Sequence, residues 1–220
     1  MQPRTLGLIH TSATLIPVFQ SLAEKHLPAS KLFNIVDDSL VKNIIARGGT
    51  PDADIFKRVL DYVQSAQNAG ADYILVTCSS IGAAIEAAAK QVSVPVLRVD
   101  QPMADIAVSQ GKRIGVIATL ATTLEPTADL VERRAKRAGK DIELKAVVCE
   151  GAFDALMAGD AAKHDFIVAE ALKSLAQEVD LILLAQASMA RVVDSLSEAD
   201  KIVPILTSPP SALEYIAKLS

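Results

Sequence analysis

The sequence has no tryptophan, and aromatic residues make up only 4% of its 220 residues. The chain therefore has few aromatic side chains that could stack on bases or sugars. No apolar run approaches the roughly 20 residues that a membrane-spanning helix needs. The formal net charge is −4, so the chain lacks the positive excess that binds nucleic acid or anionic membranes. We therefore expect neither a nucleic-acid partner nor a membrane partner.

Cysteine is also scarce, and the two cysteines, Cys78 and Cys149, lie far apart in the chain. That count fits neither a disulfide framework nor the paired ligands of a zinc site. The N-terminal residues lead directly into a strand-like segment, without the pattern of a signal peptide. These features predict a cytoplasmic protein without a metal site.

Half of the residues are hydrophobic, which is enough to bury a large core. Short apolar runs alternate with amphipathic stretches, as in βα units that form a mainly parallel sheet. The longest helix of the first half is predicted to start at an N-cap, Thr50 or Asp52, and to run to Asn68 before Gly70 ends it. The chain is thus predicted to be of the α/β class.

Three stretches of the first half recur in the second half at a nearly constant spacing. The matched stretches are Gly7–Thr14 with Gly115–Thr122, Asp72–Ser80 with Asp180–Ser188, and Val94–Leu97 with Val203–Leu206. Counterparts lie 108 positions apart in the first two pairs and 109 in the third. A constant period indicates an internal repeat. We predict two similar lobes, each a mainly parallel sheet flanked by helices: residues 1–100 with the tail 207–220, and residues 101–206.

The turn Cys78-Ser79-Ser80 stands between an apolar strand and an alanine-rich helix. Open α/β sheets bind their ligands where strands end in such turns. The free N–H groups of a helix start favour anions, and they favour the thiolate form of a cysteine. Cys78 is therefore the candidate catalytic residue, and a small side chain that only packs is the structural alternative.

Two lobes related by a pseudo-twofold axis would bring four polar loops together around one interlobe cleft. Cys78 and Gln186 would then approach a small ligand from opposite sides. The predicted substrate-binding residues are Thr11, Ser12, Ser79, Ser80, Thr119, Thr122, Gln186, Ala187 and Ser188.

In the order and spacing of four segments, the chain resembles the aspartate/glutamate/hydantoin racemase superfamily. These segments are Gly7–Ser12, Thr77–Ser80, Ala118–Thr122 and Leu184–Ala190. The resemblance implies two like lobes, an active site in the cleft, and neither a metal nor an organic cofactor. It also implies two facing cysteines that act as acid and base on a carbon next to the carboxylate of a small carboxylic acid. A homodimer is a further expectation from it.

The family's first cysteine matches Cys78, but Gln186 stands at the position of the second. A glutamine amide does not exchange protons usefully near neutral pH, although it can hydrogen-bond a carboxylate or an oxyanion. We therefore expect a cysteine-dependent isomerase that is not an ordinary two-base racemase. One alternative is a decarboxylase of a malonate-like acid with one-sided protonation, following the logic of arylmalonate decarboxylase. The other is a non-catalytic protein that binds or senses a small acid.

Two histidines and the second cysteine are further residues whose roles the sequence suggests. His10 ends the first predicted strand and is either a second acid/base or a hydrogen-bonded structural residue. Cys149 continues an apolar run, which favours a packing role. His164 falls in the first turn of a helix, where we expect it on the solvated surface.

Overall fold

The computed structural model describes residues 4–219 of the chain. They form two compact units: the first runs to Asp100 and includes the segment from Pro209 onward, and the second spans Gln101–Ser208. Each unit contains its own four-stranded sheet. None of the helices between residues 4 and 219 combines the length and the apolar composition of a membrane span.

The first unit contains strands β1 to β4 and helices α1 to α4, followed at the end of the chain by α10. The strands are β1 (Thr5–His10), β2 (Lys31–Val36), β3 (Tyr73–Val76) and β4 (Val96–Arg98). The helices are α1 (Ile16–His26), α2 (Ser39–Ala46), α3 (Ala53–Asn68), α4 (Gly82–Ala88) and α10 (Ser208–Leu219). All strand pairs are parallel, in the order β2-β1-β3-β4.

The second unit contains β5 to β8 and α5 to α9. Its strands are β5 (Arg113–Ala118), β6 (Glu143–Val148), β7 (Leu181–Leu184) and β8 (Ile205–Thr207). Its helices are α5 (Gln101–Gln110), α6 (Ala121–Arg137), α7 (Ala152–Met157), α8 (Ala161–Ala176) and α9 (Ala190–Ser195). The strand order β6-β5-β7-β8 repeats that of the first unit, and all pairs are again parallel. The predicted α/β fold of two similar lobes is confirmed.

Helix α3 shows how the sequence pattern produces the packing. Ile55, Val59, Val63 and Ala66 recur every three or four residues and are completely buried, so one stripe of the helix faces the core. The side chain of Asp52 accepts a hydrogen bond from the Ile55 backbone N–H at 3.1 Å. This contact satisfies one of the unpaired donors of the helix start, and it confirms one of the two predicted N-caps.

The repeat also places a glycine at the same point of β1 and β5, where a neighbouring side chain lies close to the strand. Gly7 in β1 and Gly115 in β5 are counterparts. A Cβ atom on Gly7 would lie 3.0 Å from the Phe33 ring, and one on Gly115 would lie 2.8 Å from Leu175. At both positions a larger residue would force the end of a neighbouring side chain to shift.

Candidate functional site

The Cys78 turn lies at the carboxyl edge of the first sheet. After β3, Cys78 keeps an extended backbone, Ser79–Ile81 form one 3₁₀ turn, and α4 follows. The Cys78 side chain is half-buried, whereas Ser79 and Ser80 are buried. Within the described chain, no hydrogen bond occupies the backbone N–H of Cys78 or of Ser79. The thiol therefore stands beside free N–H donors.

Two more predicted site residues share this edge because β1 and β3 are parallel neighbours, with Ile9 opposite Val76. Thr11 directly follows β1 and is buried. Ser12 is half-buried, and its hydroxyl lies 2.8 Å from that of Thr14. The structure thus brings the five site residues predicted in the first unit to one edge of its sheet: Thr11, Ser12, Cys78, Ser79 and Ser80.

A buried polar network lies directly before the Cys78 turn. His10 is completely buried, and its Nε2 and Nδ1 atoms each lie 2.9 Å from a partner, Asn34 Oδ1 and Thr77 Oγ1 respectively. A carbonyl oxygen only accepts, so Nε2 carries a hydrogen. In the neutral ring, Nδ1 then accepts from the Thr77 hydroxyl, whose single hydrogen also faces the more distant Ile9 carbonyl oxygen at 3.3 Å. Both nitrogens are occupied, which favours the structural role of His10 over a role as second acid/base.

The same network is absent from the second unit, although the backbone there is repeated. The counterparts of His10 and Thr77 are Ala118 and Ala185. Asn34 is paired with Leu8 in β1, and the residue at the equivalent register in β6 is Ala146. Three polar residues at the edge that carries the thiol thus correspond to three alanines at the other edge. The same strand framework therefore forms without this network in the second unit.

Burial lowers the pKa of His10 below its ordinary 6.5, although the hydrogen bond to Asn34 opposes this shift. The unfolded chain then binds this proton more readily than the folded one. We expect the free energy of unfolding to fall as the pH decreases below about 6.5, with a slope of up to about 1.4 kcal/mol per pH unit. The loss levels off once the pH is below the lowered pKa.

Urea unfolding between pH 5 and 7.5, with wild type and His10→Gln compared, measures this effect. The variant should show the weaker pH dependence, because it loses one titrating group whereas the other two histidines remain. Carboxylate groups titrate at lower pH than this range. In Asp180, for example, the backbone N–H of Arg113, with the Arg113 side chain, lowers the pKa to about 2. If the unfolding free energy depends on pH equally in both proteins, the effect does not come from His10.

A buried ion pair lies against the helix that follows the Cys78 turn. Arg98 donates to both carboxylate oxygens of Asp100 at 2.9 and 2.7 Å, and to Glu86 of α4 at 2.6 Å. Arg98 is 3% exposed and Asp100 0%. A Cβ atom on Gly82 would lie 2.3 Å from the Arg98 guanidinium carbon. Glycine at the first position of α4 therefore lets this guanidinium lie against the helix start that follows Cys78.

The equivalent turn of the second unit has a different chemistry. The Gln186 Oε1 atom accepts hydrogen bonds from the backbone N–H and the hydroxyl of Thr119, at 2.5 and 2.9 Å. Thr119 directly follows β5 and Gln186 follows the adjacent strand β7, so the two residues meet at the carboxyl edge. Ala187 is half-buried in the same turn. Ser188 lies in the following 3₁₀ turn, but its side chain is outside the described structure.

Thr122, the remaining predicted site residue, lies in the first turn of α6. Its Oγ1 atom is buried and has no hydrogen-bond partner among the described residues. A buried hydroxyl without a partner is unfavourable by about 1–3 kcal/mol. The five predicted residues of the second unit thus belong to segments at one edge of its sheet.

The prediction of a solvated His164 is wrong. The residue is 0% exposed, and its Nδ1 atom lies 2.7 Å from Asp165 Oδ1. Arg191 on α9 donates to the same carboxylate oxygen at 3.0 and 2.8 Å. The ring therefore packs inward, and its Nε2 atom has no partner among the described residues. Sequence periodicity did not reveal this arrangement, because Asp165 and Arg191 lie on different helices.

The second cysteine, Cys149, lies in the hydrophobic core. Cys149 directly follows β6, is 2% exposed and packs among apolar side chains such as Val168 and Met189. Burial raises the pKa of its thiol to about 11. The predicted packing role agrees with this position. Among residues 4–219, no three His, Cys, Asp or Glu side chains gather where they would hold a metal ion.

The two units are repeated parallel sheets, and the first has a thiol and hydroxyls at its carboxyl edge. Residues 6–216 match the model of the Asp/Glu/hydantoin racemase family. The chain therefore belongs to this family, and the resemblance seen in the sequence is confirmed. No curated protein matches the sequence.

Solved structures show the same fold at low sequence identity. A glutamate racemase isoform from Bacillus anthracis has a TM-score of 0.74 and 19% identity, over 100% of this chain and 82% of that one. Allantoin racemase from Klebsiella pneumoniae has a TM-score of 0.71 and 17% identity, over 98% and 87%. A cysteine-substituted mutant of arylmalonate decarboxylase has a TM-score of 0.59 and 17% identity, over 97% and 93%. The solved structures that share the fold of this chain thus include racemases and a decarboxylase mutant.

Proposed function

We propose that this protein is a cofactor-independent enzyme that moves a proton at the carbon next to a carboxylate of a small acid. The observation that carries the proposal is the half-buried Cys78 thiol beside the unoccupied backbone N–H groups of Cys78 and Ser79. Removing a proton next to a carboxylate leaves negative charge on its oxygens. Donors fixed in advance stabilise such charge more effectively than water does.

The step is a proton transfer to sulfur. The Cys78 thiolate takes the α-proton, the C–H electron pair passes to carbon and delocalises onto the carboxylate, and the thiol forms. Return of a proton from the thiol regenerates the acid and the thiolate. A thiol exchanges its hydrogen with solvent, so each cycle in deuterium oxide can place deuterium on the α-carbon.

The absence of a second thiol governs the stereochemical outcome that we propose. Inversion by two bases needs a group that returns the proton on the opposite face. Gln186, at the position of the family's second cysteine, has an amide that cannot do so. Its oxygen is moreover engaged by Thr119. We therefore expect exchange with retention of configuration to exceed inversion.

A decarboxylase is the second function supported by Gln186, and arylmalonate decarboxylase is among the structural neighbours. In that reaction the bond from the α-carbon to one carboxylate breaks, and carbon dioxide leaves. The electron pair stays on the carbon, and the Cys78 thiol then protonates the carbanion from one side. Water restores the proton on sulfur.

Incubation with a panel of acids in deuterium oxide tests the proposal. The panel contains both enantiomers of aspartate, glutamate and malate, with methylmalonate. Proton NMR measures exchange and loss of carbon dioxide, and chiral chromatography measures inversion. We expect α-deuterium in at least one compound with little inversion, or one-sided decarboxylation of methylmalonate. Binding without exchange or decarboxylation across the panel would favour a non-catalytic binding protein and contradict the proposal.

A further inference from the structure

His164 occupies a core position of α8. Buried residues of this helix recur every three or four positions and form one stripe that faces the core: His164, Val168, Leu172 and Leu175. The buried stripe of α3 in the first unit has the same spacing and consists of Ile55, Val59, Val63 and Ala66. The second unit therefore has an imidazole at the N-terminal end of the stripe, where the first unit has an isoleucine.

This end of α8 belongs to the carboxyl edge of the second sheet. Val168, one turn after His164, shares a hydrophobic cluster with Cys149 and Met189, which follow the carboxyl ends of β6 and β7. Side chains of a helix lean toward its N-terminus. The His164 ring is therefore directed toward the edge of the sheet on which Gln186 also lies.

The hydrogen of the neutral His164 ring lies on Nδ1. This atom is 2.7 Å from Asp165 Oδ1, and two acceptors at that distance would repel each other. Arg191 donates to the same oxygen at 3.0 and 2.8 Å, and its 3.4 Å approach to Nδ1 is the longest of these contacts. Burial opposes ionisation of Asp165, but the hydrogen bonds from Arg191 and His164 lower its pKa below the ordinary 3.8. The carboxylate is thus the acceptor, Nδ1 donates to it, and Nε2 keeps a lone pair.

The lone pair on Nε2 points to a bound molecule. The His164 side chain is 0% exposed, and Nε2 has no hydrogen-bond partner among residues 4–219. Bulk water does not reach this atom, so a donor to it would have to come from a molecule enclosed by the protein. The carboxylate of Asp165 is already paired with Arg191 and is not available to balance a buried cation. An uncharged donor such as a hydroxyl therefore fits this position better than an ammonium group.

We propose that His164 Nε2 accepts a hydrogen bond from the hydroxyl of a small hydroxy acid, so that the protein selects acids that carry this group. Asp165 holds the imidazole in the tautomer that accepts at Nε2. The contact transfers no proton, so His164 acts in specificity and not as a second acid/base. The inference rests on the proposed function for the small acid as the ligand.

Two substitutions separate the accepting nitrogen from the bond to Asp165. The short amide of asparagine overlaps the Nδ1 side of the ring, so His164→Asn can still donate to Asp165 but has no acceptor at the Nε2 position. The longer glutamine places its amide near Nε2, so His164→Gln can still accept from the ligand but loses the bond to Asp165. If His164 only bonded Asp165, asparagine would be tolerated, glutamine would lower the melting temperature, and neither would change ligand preference.

Isothermal titration calorimetry with matched pairs of acids measures this preference. Tartronate and L-malate carry a hydroxyl, malonate and succinate are their counterparts without it, and L-aspartate carries an ammonium group instead. We expect wild type to bind each hydroxy acid about 3- to 10-fold more tightly than its counterpart, the range for one net hydrogen bond. His164→Asn should lose this preference, and His164→Gln should keep it. An equal preference in wild type and His164→Asn would overturn the inference, as would tighter binding of L-aspartate than of L-malate.

Nitrogen-15 NMR of the imidazole rings gives a second measurement that a purely structural histidine would not affect. The spectrum of His164→Asn identifies the His164 signals, because the variant lacks them. Tartronate or L-malate should shift the Nε2 signal, whereas malonate and succinate should leave it in place. An Nε2 signal that neither hydroxy acid shifts would mean that the atom faces an enclosed water only, and this result would overturn the inference.

These measurements need no turnover, so they are independent of the reaction proposed for Cys78. If the preference depends on His164 but wild type neither exchanges an α-hydrogen nor releases carbon dioxide, the proposed reaction fails and the hydroxyl site stands. If wild type shows exchange but no preference for hydroxy acids, the hydroxyl site fails and the reaction stands. Failure of both hydroxy acids to bind wild type at millimolar concentration would also overturn the inference.

Discussion

Cys78→Ala should reduce deuterium incorporation into the substrate by about 100- to 10,000-fold, the range for loss of a positioned acid/base group. The reason is that Cys78 is the half-buried thiol at the sheet edge, whereas Cys149 is buried in the second unit with a pKa raised to about 11. Cys78→Ser should lose most of the rate as well, because a hydroxyl is a far weaker acid than a thiol. Substrate affinity should change little in either variant. Proton NMR of the α-position in deuterium oxide gives the rate directly.

Cys149→Ala is the matched control because it removes the other thiol. It should exchange at the wild-type rate and only lose some stability, since it leaves a small cavity in a packed core. Alkylation by iodoacetamide tests independently which thiol is accessible. Cys78 should react in the folded protein, and Cys149 only after unfolding. A Cys78→Ala protein that exchanges at a rate similar to wild type would exclude Cys78 from the mechanism.

The fold could be predicted because its evidence is periodic in the sequence. Parallel strands buried on both faces appear as continuous apolar runs. The duplicated segments fix which strands correspond, and the two sheets indeed have the same strand order. Gly7 and Gly115 occupy equivalent places, and each has a neighbouring side chain close to where a Cβ atom would lie. Each of these signals lies within a short stretch of the chain.

The site was only partly predictable because its contacts join distant stretches of sequence. Thr119 and Gln186 could each be named from the carboxyl ends of their strands. That the glutamine oxygen would bind the threonine, and leave only N–H donors, depends on side-chain geometry across 67 residues. His164 was misplaced for the same reason. Its position near a helix start suggests exposure, but packing of α8 against its neighbours buries it completely.

The buried Arg98–Asp100 pair leads to the largest expected effect on stability. Arg98→Met should lower the free energy of unfolding by about 3–5 kcal/mol, the usual result of leaving a buried charge without its partner. Asp100 is 0% exposed and receives both of its described side-chain hydrogen bonds from Arg98. Urea unfolding followed by circular dichroism measures the change. Arg98→Lys should be milder, because it keeps the charge but loses the two-pronged geometry.

The double variant Arg98→Met/Asp100→Leu tests whether the cost comes from the unpaired charge. Removing both partners leaves no isolated carboxylate in the interior, so the double variant should be more stable than Arg98→Met alone. The coupling between the two substitutions should therefore be well outside the roughly 0.5 kcal/mol typical of independent sites. Glu86 remains in both proteins and serves as an internal constant, since it is partly exposed at the surface of α4. If the two substitutions instead destabilise additively, the buried pair is not the source of the effect, and the loss belongs to the packing of the Arg98 side chain against Gly82.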